Sequence, residues 1–369
     1  MTIYYMAYAM FCLIAVIAQY GSTDLKKRSG VICAFGFIFI FLILALRHWS
    51  MGVDLGYYAR NYTGYNVGYI PSFERLNKYS WQDIIKMKEF LNYEKGYIIF
   101  NKLVGSIHND KQFFLGVCAF INASVTAVFI YKNSKLPFLS WIVFLGLPVF
   151  LMFFSGLRQD MAISITMMSV YWIKKKKIIP FILTVLLAST MHSSAIVFLV
   201  AYPMYYVKLT EMQSFIFTLL IPVVYVLKAP LFAVLSKIFR ENAEMENTGA
   251  GTLFVVFFMV YLFLVVSNSQ QHKKQSGWIN LFYIACICQA FSGIYSTAMR
   301  VGYYFMPYLA AALPNTVSDF QYTGKNTEKR DFILSYVFIL IAFALFGLYS
   351  LSVGSWSKTN PYVFFWQTP

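Results

Sequence analysis

The sequence predicts an all-α fold, a polytopic transmembrane helical bundle of about twelve spans. Three observations carry that prediction. Apolar residues make up 59% of the chain and charged residues 12%, with a mean hydropathy of +0.61. The apolar residues gather in runs along the whole chain, and a run of about 17 to 25 is long enough to cross the hydrocarbon as a helix. No run shows the residue-by-residue alternation of a membrane barrel strand. The chain therefore reads as a single integral-membrane domain, residues 1–369, without a soluble domain.

In order, the expected spans are 3–20, 31–46, 112–131, 137–154, 161–173, 178–191, 193–207, 212–228, 251–267, 277–295, 301–315 and 332–352. The first lacks the basic lead-in and small-residue cleavage site of a secretory signal, so it is expected to be retained. The run from Ile178 to Val207 is too long for one crossing and is divided into a tight hairpin at His192. A net charge of +15 would point to nucleic acid in a soluble chain, but here the lysines and arginines collect in short connections. These are Lys26-Lys27-Arg28, Lys132 and Lys135, Lys174 to Lys177, Lys208, Lys273-Lys274, and Lys325, Lys329 and Arg330. Alternating the spans puts them all on one side, which the positive-inside rule makes cytoplasmic, with both termini outward. Cys12, Cys33, Cys118, Cys286 and Cys288 all lie in apolar segments, where a thiol is a small hydrophobe; neither a disulfide framework nor a metal site is expected.

The same alternation gathers Arg47, Asp54, Glu94, Arg158, His192 and Arg300 on the outer face. Residues 48–111 form a long outer loop rich in aromatic residues, among them Tyr57, Tyr58 and Tyr97, in which Trp81 to Leu91 has the spacing of a helix lying in the membrane interface. Residues 229–250, with Glu241, Glu244 and Glu246, form a second outer loop placed to cover a site.

Gly52 and Gly56 disfavour a continuing helix and display Asp54 on a loop, where it is the preferred general base, although a plain charged cap on a span would look similar. Arg158 either snorkels or pairs with Asp160, or it aims a guanidinium fork at a lipid-linked phosphate. Arg300 repeats the arrangement, and a helix there would put Tyr304 on the same face one turn later. Glu94 and His192 compete with Asp54 for acid and base duties, against the plainer readings of a solvated carboxylate and a hydrogen-bonded histidine.

Missing motifs narrow the chemistry. There is no Walker A loop, G-x-G-x-x-G, H-E-x-x-H, G-x-S-x-G or D-x-D, so nucleotide hydrolysis, zinc proteolysis and serine-hydrolase chemistry lack their parts. Outward arginines, carboxylates, a histidine and tyrosines suit the holding of a polyprenyl-diphosphate sugar donor while a second sugar attacks. Arg47, Arg158 and Arg300 would neutralise the diphosphate, and Tyr57, Tyr58, Tyr97 and Tyr304 would carry the glycan.

At these residues the sequence resembles the EpsG family of Wzy-type polysaccharide polymerases. The matching pieces are Arg47…Gly52-Val53-Asp54…Tyr58, Glu94-Lys95-Gly96-Tyr97, Gly156-Leu157-Arg158-Gln159 with Ala162, the Lys-rich turn followed by Ala188 to Ala195, and Arg300-Val301-Gly302-Tyr303-Tyr304-Phe305. Val53 stands where family members commonly have Thr. The resemblance implies joining of undecaprenyl-diphosphate-linked oligosaccharide repeats into O-antigen, capsule or exopolysaccharide at the outer side of the bacterial cytoplasmic membrane. It implies no cofactor and no metal; the partners would be the lipid-linked oligosaccharide, membrane lipid, and chain-length regulator and flippase proteins, with no nucleic acid. A flippase of the same lipid-linked unit would carry its polar residues through the bundle at mid-membrane depth, and a glycan O-acyltransferase would need an acyl-donor entry from the cytoplasm. Neither pattern is evident in the sequence.

Overall fold

In the computed structural model, residues 1–21, 24–56, 68–86, 93–239, 245, 251–270, 276–320, 326–353 and 358–367 are described. The chain divides into two compact units, Met1–Ile196 with Tyr336–Pro369, and Val197–Ser335. Both are helical, and no strand forms among the described residues beyond an isolated bridge between Arg47 and Phe364.

The first unit opens with α1 (Thr2–Gly21) and α2 (Leu25–Ala45). Asp24 caps α2 by accepting hydrogen bonds from the Lys26 and Lys27 N–H groups, and this satisfies donors that a helix start leaves orphaned. Then come α3 (Tyr69–Lys78), α4 (Trp81–Lys86), α5 (Lys95–Ile107) and α6 (Lys111–Asn133), the last capped by Asp110 through the Phe113 N–H. α2 lies against α6, where Phe37 and Phe41 meet Phe120 edge-on at 5.7 and 6.2 Å. The expected span 137–154 is broken into α7 (Pro137–Gly146) and α8 (Pro148–Met152). Pro148 is the cause: it forces Leu147 into an extended conformation, with φ −84 and ψ 145, which ends the first helix. α9 (Leu157–Lys174) and α10 (Ile178–Met191) pair closely across the four-lysine turn, and α10 stops at His192, where the hairpin was expected. A buried bond from the Ser164 hydroxyl to Asn122 Oδ1, 2.7 Å long, fixes α9 against α6.

A C-terminal tail, 358–367, completes this unit. The Tyr4 hydroxyl donates to the Thr359 carbonyl at 2.6 Å, the Tyr362 hydroxyl to Ile43 O at 2.9 Å, His48 N to Val363 O at 2.7 Å and Phe365 N to Leu46 O at 2.9 Å. Sequence reasoning gave this tail no role, because its partners are remote in the chain.

The second unit holds α11 (Ala201–Tyr206), α12 (Glu211–Val226), α13 (Lys228–Phe239), α14 (Thr252–Gln270), α15 (Gly277–Gln289), α16 (Ser296–Gly302) and α17 (Leu309–Asp319). Thr210 and Gln213 form a reciprocal capping box on α12. Asn280 Nδ2 ties α15 to the end of α11 through the Met204 and Val207 carbonyls, at 2.9 and 2.8 Å. The expected second loop, 229–250, begins instead as helix α13, because seven of its first ten residues are apolar and Pro230 falls in the first turn, where a helix tolerates it; Glu241, Glu244 and Glu246 lie outside the described residues. The expected spans 277–295 and 301–315 are likewise interrupted, by a turn after Gln289 and another after Gly302. α18 (Asn326–Val353) follows, its part from Tyr336 onward belonging to the first unit.

By length and composition, four described helices can cross a membrane: Leu25–Ala45, Lys111–Asn133, Thr252–Ser269 and Lys329–Val353. The pair Glu211–Val226 and Lys228–Val234, bent by 80°, makes a fifth if it is taken as one span. The expected count of about twelve is not reached on these criteria, since several apolar helices, such as Ile178–Met191 and Gly277–Gln289, have only 10–17 residues. The expected long loop 48–111 contains α3, α4 and α5; of the proposed interfacial helix, residues 81–86 are helical and 87–91 lie outside the described residues.

Ser164→Ala should cost about 0.6 to 1.7 kcal/mol of stability, the range for interhelical hydrogen bonds in membrane bundles. Equilibrium unfolding in detergent measures it, with Ser352→Ala as control because that hydroxyl bonds only to Tyr349 O of its own helix.

Candidate active site

The segment after α2 is docked on the segment before α9 by three contacts, two to backbone carbonyls and one to a hydroxyl. Arg47 Nη1 donates to the Phe153 carbonyl at 2.7 Å, and its guanidinium carbon stands 5.1 Å from the Phe154 ring centroid. Gly52 has φ +114 and lies so close to the Phe154 carbonyl oxygen that a Cβ would overlap it. The Asp54 N–H donates to Ser155 Oγ at 3.1 Å. The Asp54 and Leu55 carbonyls then accept from Tyr69 N and Ile70 N, at 3.0 and 3.1 Å, so the ends of the excursion through Tyr57 and Tyr58 are joined. Those two tyrosines lie outside the described residues.

Docking in this way sets up a cluster around Glu94. Glu94 is the N-cap residue of α5 but makes no capping bond, and its carboxylate turns instead toward α9 and α10. Oε2 accepts from Arg158 Nη1 at 2.8 Å, and Oε1 accepts from the Ser193 N–H at 2.9 Å and lies 3.2 Å from His192 Nδ1. An ionised carboxylate only accepts, so Nδ1 carries the proton in that contact. Gly96 lets α5 come this close to the end of α10, because a Cβ there would overlap Thr190. Arg158 is further cradled by Tyr69, whose hydroxyl is 3.4 Å from Nε, and by the Tyr93 ring at 4.8 Å. Tyr93 is held in turn by Ser72, 2.9 Å from its hydroxyl.

The cluster is neither sealed nor open: the side chains of Glu94, Arg158 and His192 are 15, 22 and 27% exposed. Burial alone would raise the Glu94 carboxyl, but the bonds from His192 and Ser193 and the charge of Arg158 outweigh it and bring the group from 4.5 to about 2. Glu94 is thus a fixed negative charge that orients a histidine and an arginine. Among the described residues, His192 Nε2 and Arg158 Nη2 have no protein partner, which leaves a donor or acceptor and a forked donor available to a ligand.

The sequence profile of the EpsG family matches residues 30–364. The chain belongs to the EpsG family. No curated protein and no solved structure matches it. EpsG members are Wzy-type polysaccharide polymerases, and four of the five motif pieces of this EpsG chain, those around Asp54, Glu94, Arg158 and His192, meet in the first unit.

The expected site residues divide as follows. Glu94, Arg158 and His192 converge, and Asp54 reaches their neighbourhood through Tyr69, on whose hydroxyl both Asp54 and Arg158 act electrostatically. Arg47, expected to bind diphosphate, is 2% exposed and bonded to a backbone carbonyl, so it anchors the loop instead. The alternative pairing of Arg158 with Asp160 does not form, since Arg158 is committed to Glu94 while the fully buried Asp160 acts electrostatically on Arg47. Tyr97 and Tyr304 are fully buried, so neither offers an open ring face to a glycan. Arg300 is on α16 of the second unit; that helix ends at Gly302, so exposed Arg300 and buried Tyr304 do not share a helical face. Sequence reasoning missed Tyr93, Ser72 and Ser155 as supports. Tyr93 adjoins Glu94, which was the only local hint.

Gly52→Ala should lose about 1–3 kcal/mol from the left-handed backbone alone, before the clash with Phe154, and should lower the thermal midpoint in detergent more than Gly56→Ala. Because the Glu94 pKa is depressed on folding, its contribution to stability is complete above about pH 5 and disappears as pH falls through 4.5 toward 2. Unfolding midpoints measured from pH 6 to pH 3 should show that loss in the native chain, with a flatter profile for Glu94→Gln.

Proposed function

We propose that this chain joins polyprenyl-diphosphate-linked oligosaccharide repeat units into a longer glycan at the outer face of the bacterial cytoplasmic membrane, with undecaprenyl as the lipid. Membership of a family of polysaccharide polymerases supports the reaction class, and the single observation that carries the mechanism is the Arg158–Glu94–His192 cluster. In this reading the acceptor hydroxyl gives its proton to His192 Nε2 while its oxygen bonds to the donor's anomeric carbon. The bond from that carbon to the diphosphate breaks, and the diphosphate leaves with the electron pair. Glu94, already ionised, holds His192 in the productive tautomer and stabilises the imidazolium that forms. Arg158 Nη2 meets the charge that develops on the leaving diphosphate.

This reading moves the base from Asp54, the sequence's preference, to His192. Asp54 then belongs to the wall of the site, its backbone held by Ser155 and Tyr69. The outward location rests on the asymmetry of lysine and arginine between the apolar runs.

Purified protein with a synthetic polyprenyl-diphosphate repeat unit tests the assignment by reading donor binding and elongation separately. His192→Gln should cut elongation by roughly a hundredfold to ten-thousandfold while leaving donor binding near native. Arg158→Lys should weaken donor binding by about tenfold or more, because a forked donor becomes a point charge. If Asp54→Asn abolishes turnover while His192→Gln elongates at the native rate, the base is Asp54. In cells, loss of long chains with single-repeat product retained marks a polymerase, whereas loss of every repeat marks a flippase and native length with altered acylation marks an acyltransferase.

A further inference from the structure

A polymerase that draws both substrates from lipid carriers must handle two diphosphates, and the cluster in the first unit supplies one partly exposed guanidinium. The second unit contains a cation to which the sequence reading gave no role. Lys228 sits where α12 gives way to α13, at the 80° bend between two apolar helices. Its ammonium is 4.0 Å from the centroid of the Tyr225 ring, which stacks on Phe254 at 4.1 Å. One ammonium hydrogen is accounted for by the Ser292 carbonyl at 2.9 Å. Among the described residues no carboxylate lies within 4.0 Å of it.

The turn that receives Lys228 is itself polar and underused. Gln289 and Ser292 are at most 1% exposed, yet Gln289 Oε1 and Ser292 Oγ have no hydrogen-bond partner. Gly293, with φ +86, shapes this turn between α15 and α16. A half-buried lysine at a break between apolar helices, with no counter-charge among the described residues and bonded to a serine whose buried hydroxyl is unsatisfied, is costly unless something compensates. Breaks of this kind in membrane helices are where transporters place ion and substrate sites, because backbone and side-chain polar groups are there freed from helix pairing.

We propose that Lys228 is an anion-binding residue of the second unit that holds a phosphate oxygen of a lipid headgroup, with the Ser292 turn as its floor. The assignment of that headgroup as the diphosphate of the second lipid-linked chain rests on the polymerase reading. Lysine suits this task as a compact charge with two ammonium hydrogens still to donate, and Tyr225 and Ser292 fix its direction.

The test uses the full-length protein in detergent, in the Arg158→Ala background so that the first unit's guanidinium is absent, and follows the thermal midpoint as farnesyl diphosphate is titrated. Lys228→Met, which keeps the apolar stem, should weaken the apparent affinity by about tenfold or more, and Lys228→Arg should restore most of it. Short-chain phosphatidylglycerol should show little dependence on Lys228. Equal affinity with and without the Met substitution overturns the proposal, as does a fall in the ligand-free midpoint with affinity unchanged, which would make Lys228 a cap for the Ser292 carbonyl only. If phosphatidylglycerol shows the same Lys228 dependence as farnesyl diphosphate, the residue holds membrane lipid and the assignment to a substrate diphosphate is overturned. Elongation by the unsubstituted protein is measured alongside: if it fails while Lys228-dependent binding persists, the polymerase reading falls and the anion site stands.

Discussion

The docking of residues 47–56 on the Phe153–Ser155 backbone is the constraint on which the first unit's site depends. The contact leaves no room for a side chain at Gly52, and it uses the Phe153 carbonyl and the Ser155 hydroxyl beside the Gly156 junction. A carbonyl at such a junction is an orphan that must be satisfied, and Arg47 satisfies the one at Phe153 from inside the fold. Once that seam is closed, Tyr69 is carried to Arg158 by its bond to the Asp54 carbonyl. Arg158 in turn meets Glu94, and Glu94 meets His192. The polar cluster therefore inherits its geometry from a backbone contact about which none of its own side chains carries information.

Within the cluster, charge is arranged so that Glu94 needs no proton to remain in place. Its two oxygens face an arginine, an imidazole and a backbone N–H, a set that overcomes the cost of partial burial. Fixed charges of this kind act by preorganisation: they are aligned before substrate arrives and need not reorient as charge develops.

Much of the fold was legible because it is written in local signals. The halt at His192 is a break that acts within a few residues, and a helix ends there; the Asp24 and Asp110 caps are equally local but were not read, and the helix expected from 31 begins at Leu25. The division of 137–154 was equally local, through Pro148, but was overridden in the reading by the continuity of its apolar run. Of the site, Glu94, Arg158 and His192 could be named because charged or titratable groups beside apolar runs demand a reason. Their mutual contacts could not be read, since they join positions 64 and 98 residues apart. Arg47 looked like Arg158 in the sequence, as both follow or precede an apolar run. What separates them is burial, which depends on which backbone each guanidinium happens to face.

The tail that closes the first unit has a consequence for the order in which the protein is made. Tyr362 reaches back 319 residues to Ile43, so the seam beside Arg47 is finished only after residues 358–367 have left the ribosome. Everything from Val197 to Ser335 emerges in between, and α1 and α2 must wait with their tail partners still untranslated. The first unit is thus begun before the second and completed after it. Its maturation is tied to successful synthesis of the whole intervening segment, so a chain interrupted there leaves the Arg47 seam without its strap.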